Sequence, residues 1–143
     1  MLEGGTPIPG GTVHETERWV VMHVLGRFGL GTLAVVPRRH VVHAADLDDV
    51  ESGEWGVLLR DAAATVSSLT DPVQVYVCQW SHTDGRPAHI HSIVQPIQLA
   101  DMRRHPGALG PMLQSAMLGT GTAPDPRDVE TFTARARDAF PRH

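Results

Sequence analysis

The feature that most restricts how this chain can fold is a change of hydrophobic period, from strand-like to helical and back. Trp55, Leu58, Leu59, Ala62, Val66 and Leu69 recur at three- and four-residue spacing, which puts them on one stripe of a helix. Ser52 stands before this run as a candidate N-cap, "DLDD" ahead of it forms a turn or a first helical turn, and Asp71-Pro72 ends it. Strand-like runs lie on both sides. Arg18 to Leu25 ("RWVVMHVL") and Thr32 to Pro37 ("TLAVVP") are rich in β-branched and aromatic residues. "GRFGLG" turns the chain between them, and Pro37, with no backbone donor, suits a strand end. The pair predicts a hairpin.

After the helix, alternation returns in Val73 to Trp80. Val73, Val75 and Val77 share one face, and Gln74, Tyr76, Cys78 and Trp80 the other. A polar turn, "SHTDGRP", leads into "HIHSIVQ", which predicts a second strand pair. The tail holds a helix around Gly110 to Leu118, a Pro/Gly-rich link and a final amphipathic helix. That last helix carries Val129, Phe132, Ala136 and Ala139 or Phe140 on one side, with Asp125 or Asp128 at its start and Arg135 and Arg137 on its wet face. Two strand pairs around a helix, followed by a helical tail, predict an α+β fold and not a βαβ series.

The chain has 143 residues, the size of one domain. It divides into a Gly/Pro-rich arm (1–11), a core (12–100) and an extension (101–143) expected to pack on the same domain. The net charge is −4, there is no lysine, and the nine histidines supply charge only as pH falls. This argues against a partner that is a nucleic-acid polymer, which calls for gathered lysine and arginine. The single cysteine, Cys78, has no internal partner for a disulfide, and no apolar leader is apparent, so a cytoplasmic location is expected. No run approaches the ~20 apolar residues that span a bilayer, so no membrane partner is expected.

The segment that speaks of chemistry is "AHIHSIVQP". In a strand His89, His91, Ile93 and Gln95 share one face, with Ile90, Ser92 and Val94 on the other. Two imidazoles so placed can ligate a metal, fix each other's tautomer through the intervening backbone carbonyl, or serve as a nucleophile beside an orienting group. Taken alone, the pair is equally compatible with surface histidines.

"GLGTLAVVPRRHVVHAADLDDVE", followed downstream by "HIHSIVQP", resembles the histidine triad (HIT) superfamily. The matching positions are Pro37, Arg38, Arg39 and His40, then Asp46-Leu47, then His89, His91 and Pro96 with apolar spacers at Ile90 and Val94. The likeness runs from about Gly10 to Pro96 and includes the lead-in "GGTVHETERWVVMHV". It implies an antiparallel sheet with a long central helix, commonly paired as a homodimer. It also implies a nucleotide phosphohydrolase or nucleotidyltransferase that cuts at the α-phosphate through a nucleotidyl-histidine, with no cofactor or metal. By the same resemblance His91 would carry the nucleotide, His89 would fix the ring of His91, and His40 would lie near the reacting group. Ser81, His82 and Arg86, in the turn before the motif, are the candidate phosphate and rim residues.

The pattern departs from the family at its third histidine, where this chain has Ile93, a side chain that neither donates nor accepts. Gln95 is one same-face step too far along to replace it, Ser92 lies on the other face, and Ile97 stands where an arginine often follows the proline. Three readings follow: an enzyme acting on a nucleotide with a good leaving group, a nucleotide-binding protein with weak turnover, or an enzyme whose proton relay comes from His82, His40 or His43. A metal-dependent cupin-type enzyme also uses a strand-borne His-x-His, but expects a nearby glutamate, and none occurs between Glu54 and Glu130. The plainer expectations are structural: Trp19 and Trp55 in the core, His14 and His23 on early strands without a role, Arg38 and Arg39 as rim charges or ion-pair partners, and Trp80 as packing or as a surface for a base.

Overall fold

The computed structural model describes residues 8–80 and 89–143. A five-stranded, wholly antiparallel sheet runs in the order β1-β2-β3-β5-β4. Its strands are β1 (Thr12–Glu15), β2 (Trp19–His23), β3 (Leu33–Pro37), β4 (Gln74–Gln79) and β5 (Ser92–Ile97). The helices are α1 (Asp49–Thr70), α2 (Leu99–Arg104), α3 (Pro111–Thr120) and α4 (Pro126–Ala139). The expected α+β architecture holds, as do both antiparallel pairs, β2 with β3 and β4 with β5. None of the described helices is long and apolar enough to cross a membrane.

Strand alternation sorts the core into two layers. On one face Val21, Leu33, Val35 and Val94 pack with Leu58, Ala62 and Val66 of α1 and Phe132 and Ala136 of α4. On the other, Val20, Met22, Ala34, Val36 and Ile93 form a second apolar cluster. Pro96 costs the sheet no bond to β3, because β3 pairs with β5 only as far as Val94.

Three local readings need correction. Helix α1 starts earlier than the apolar stripe. Its cap is Asp48, whose carboxylate accepts the Glu51 N–H at 2.8 Å while Glu51 reaches back to the Asp48 N–H at 2.9 Å. This reciprocal box outcompetes Ser52, which lies inside the helix. Helix α2 was not evident from sequence, being too short to show a period; Gln98 and Asp101 cap it reciprocally. The third correction is that β5 begins at Ser92, so His89 and His91 lie in the segment just before the strand. The other end signals fit: Asp71 closes α1 in left-handed geometry (φ 46°), and Asp125 caps α4 by accepting the Arg127 N–H at 2.8 Å.

Candidate functional site

The segment before β5 is held on β3 and the loop after it. The Ile90 N–H donates to the Val41 carbonyl at 2.8 Å, and the ring of His89 is bonded through both nitrogens. Its Nε2 lies 2.6 Å from the Pro37 carbonyl, which can only accept, so the proton is on Nε2. Its Nδ1 then accepts the Val41 N–H at 3.2 Å. Adding a second proton would set two N–H groups against each other. Burial pushes the His89 pKa below the ordinary histidine value; the Pro37 bond opposes this, and the neighbouring His40 and His91 add to it. Both ring bonds and burial favour the neutral form, and the ring ties the segment before β5 to the end of β3.

His91 differs. Its Nδ1 lies 3.3 Å from the His89 carbonyl, and a carbonyl there requires the proton on Nδ1. In the neutral ring Nε2 then keeps its lone pair. The intervening-carbonyl arrangement, one of the three sequence alternatives, is thus present in this geometry. His91 lines a cavity of about 320 Å³ with Phe28, Trp80, Ile93 and four residues of α3: Pro111, Gln114, Ser115 and Leu118. Ile93, 4% exposed, belongs at once to this cavity and to the second apolar cluster. Side-chain parity survives the late start of β5: Ser92 points the opposite way and accepts the Trp55 indole N–H at 2.9 Å.

His40 is exposed and its ring stacks on His89, with centroids 5.3 Å apart. The loop carrying it is anchored by its two arginines. Arg39 pairs with the buried carboxylate of Glu51 at 2.8 Å and donates to the Asp46 carbonyl. Arg39 is the chief reason the Glu51 pKa lies below the usual carboxylate value. Arg38 pairs with Glu15 at 3.2 Å and donates to the Thr16 carbonyl. Both arginines therefore hold structure. His43 is exposed beside a 3₁₀ turn (Ala44–Asp46), and it makes no side-chain cap bond. Ser81, His82 and Arg86 lie outside the described residues.

The remaining candidates sort by their bonds. His23 is buried, donates from Nδ1 to the Val24 carbonyl at 2.6 Å and accepts the Gly31 N–H at 2.9 Å. Burial lowers its pKa, and the Val24 bond offsets some of that. Gly31 is required there, since its φ is +94° and a Cβ would meet Thr70 at 2.9 Å. His14 stacks on Phe140 at 4.6 Å. Trp19 is core, and Trp55 is partly buried against the same cluster. Trp80 is 55% exposed and lines the His91 cavity.

The cavity wall from α3 was not legible in the sequence. Buried Gln95 seats it: the Gln114 amide donates to Gln95 Oε1 at 3.0 Å, and Gln95 donates to the Phe28 carbonyl at 3.2 Å. The start of α3 is tied to β4 by the Gly110 N–H donating to the Tyr76 hydroxyl at 2.9 Å. A glutamine on the inward face of a strand was the one available signal of a polar partner crossing from elsewhere.

No family model matches the chain, and no curated protein matches its sequence. Solved structures do match. A histidine triad protein from Bradyrhizobium japonicum superposes with a TM-score of 0.68 at 16% identity, over 90% of this chain and 89% of that one. A Hit-like protein involved in cell-cycle regulation from Bartonella henselae gives 0.67 at 14% identity, over 90% and 85%. The fold is that of the histidine triad proteins. A hypothetical histidine triad nucleotide-binding protein from Sulfolobus tokodaii agrees, with a TM-score of 0.65 at 14% identity over 90% and 81%. Because 90% of this chain is matched in each case, the histidine triad likeness extends beyond Pro96, where the sequence resemblance stops.

Proposed function

We propose that this chain is a divergent member of the histidine triad superfamily that cleaves nucleotides at the α-phosphate through a nucleotidyl-His91 intermediate. One observation carries the reading: His91 holds its proton on Nδ1 against the His89 carbonyl and borders a cavity, leaving Nε2 for attack. Its Nε2 lone pair would form the N–P bond as the bond from phosphorus to the leaving group breaks. Water would then cleave N–P, returning the ring and releasing the nucleoside monophosphate. The catalytic help is positional, through an imidazole aimed before substrate arrives. His89 is the positioning residue, and His40 covers it on the outer side.

Ile93 favours a second reading, a nucleotide-binding protein with weak turnover, since among the described residues the cavity lining offers no imidazole where the family has its third. The active reading then takes either a leaving group that departs with little protonation or a proton relay from His82, His40 or His43. The cupin-type alternative calls for a gathered ligand set, and among the described residues no three or more His, Cys, Asp or Glu side chains are so placed. Homodimer formation and a cytoplasmic location belong to the proposal. Edge strand β4, with Val77 exposed on it and Val73 exposed just before it, is a surface on which a second copy could pair.

The test is turnover of dinucleoside polyphosphates and nucleoside phosphoramidates by the wild-type chain and by His91→Ala. We expect His91→Ala to abolish turnover yet keep mononucleotide affinity, and rapid trapping with labelled substrate to leave the label on His91. A processed substrate that leaves no label there would overturn the covalent mechanism. Affinity without turnover in the wild type would establish the weaker reading.

A further inference from the structure

A second cleft, of about 580 Å³, opens beside the His91 cavity, and Phe28 lines both. Helix α3 forms the rest of the dividing wall: Ser115 and Leu118 line the His91 side, and Met117 and Thr120 the other. The cleft also takes in Arg27 from the β2–β3 turn, Arg104 from α2, and His105.

Charge distinguishes this cleft. The chain carries −4 overall, yet two guanidinium groups and an imidazole line one recess. The lining contains one carboxylate, Asp101, and it is already engaged. One of its oxygens accepts the Gln98 N–H at 2.8 Å, and the other lies 3.5 Å from Arg104 Nη1. Asp101 thus orients Arg104 without neutralising Arg27, which has no ion pair or side-chain hydrogen bond among the described residues. His105 meets Thr120 through Nε2 at 3.4 Å, which joins the end of α2 to the end of α3 across the cleft. Guanidinium forks match the oxygens of phosphate in pairs. A recess with surplus positive charge on an acidic protein concentrates anions there.

We propose that this cleft is a phosphate-binding site, taking a polyphosphate or phosphate ester through Arg27 and Arg104. The phosphate has two possible sources: the far end of the substrate whose α-phosphorus lies at His91, or a separate phosphorylated ligand. The site itself does not depend on His91 being reactive.

Tripolyphosphate, titrated into the full chain by calorimetry, is the probe. The double variant Arg27→Gln/Arg104→Gln is expected to bind it at least tenfold more weakly, with an unchanged thermal midpoint. The control Arg127→Gln/Arg135→Gln, which removes the same charge from α4, is expected to stay within about twofold of wild type. No binding by the wild type at millimolar tripolyphosphate, or equal weakening in both variants, overturns the proposal. The source is read from kinetics. If the substrate's far phosphates occupy the cleft, Arg27→Gln raises KM for a dinucleoside polyphosphate and leaves that for a nucleoside phosphoramidate unchanged. If both KM values are unchanged while tripolyphosphate binding is lost, the ligand is a separate one; either result supports the site. Should the chain turn over neither substrate, the proposed hydrolase fails and the titration still reads the cleft.

Discussion

At Ile93 a single side chain belongs to two environments, and the consequences of changing it divide accordingly. It packs with Val20, Met22, Ala34 and Val36, and it shares the cavity with His91. Ile93→His would put an imidazole where the family has one, next to an apolar cluster that offers it few partners. Leaving a buried polar group unsatisfied costs roughly 1–3 kcal/mol, and for a chain of this size each kcal/mol lowers Tm by about 2–4 °C. A positioned acid or base contributes ~10²–10⁴-fold to rate. On the proposed hydrolase reading, we therefore expect Ile93→His to melt several degrees lower while turning over at least about tenfold faster on a substrate with a poor leaving group, as melting curves and kcat/KM would show. A less stable variant with no gain in rate would mean that the leaving group is handled without this position.

At the scale of elements, the N-terminus of α1 organises more than its own first turn. Asp48 caps it, Glu51 completes the box, and Arg39 binds Glu51, so the loop bearing His40 is tied to the helix start. Asp48→Ala is expected to cost about 0.5–2 kcal/mol by denaturant unfolding, the range for losing a side-chain cap. Ser52→Ala, one turn inside the helix, is expected to change stability by less than about 0.5 kcal/mol. The reverse order would return the cap to Ser52. Helix α3 depends on a similar cross-element bond. Gln95→Ala and Gln114→Ala each remove one partner of a buried amide, so the two are coupled. A double-mutant cycle is expected to give an interaction energy of about 0.5–3 kcal/mol, and additive effects would mean that the amides do not meet.

Over the whole molecule, three titrating groups among the described residues link fold to pH. His23 and His89 both have pKa values lowered by burial, so below about pH 6.5 the unfolded chain takes up protons that the folded chain refuses. More protons on the unfolded state means that stability falls as pH falls through that window. Glu51 has a lowered carboxylate pKa, chiefly because of Arg39, so its contribution is present above about pH 4.5 and is lost below it. Denaturant midpoints measured from pH 8 to pH 3.5 should therefore decline in two stages. In His23→Gln, which removes one of the two imidazoles, the first stage should shrink. A midpoint that is flat between pH 7 and pH 5 would contradict the lowered pKa values of these rings.

The sequence by itself determined whatever depends on local period and local chemistry. The two strand pairs, the α1 stripe, the α4 face with its Asp125 cap and the opposed parities of His91 and Ser92 all follow from side-chain geometry within one element. The start of α1 is ambiguous in the sequence because several acidic and hydroxyl residues in a row could each cap, and only the reciprocal bond to Glu51 selects Asp48. What only the tertiary structure decided are the meetings between distant segments. Nothing local shows that α3 would be drawn over His91 by Gln95, that Phe28 would stand between two cavities, or that Arg27 and Arg104 would line the same cleft. Such contacts depend on how packed layers bring distant stretches of the chain together, and the hydrophobic pattern that drives packing is blind to which polar groups will end up facing each other.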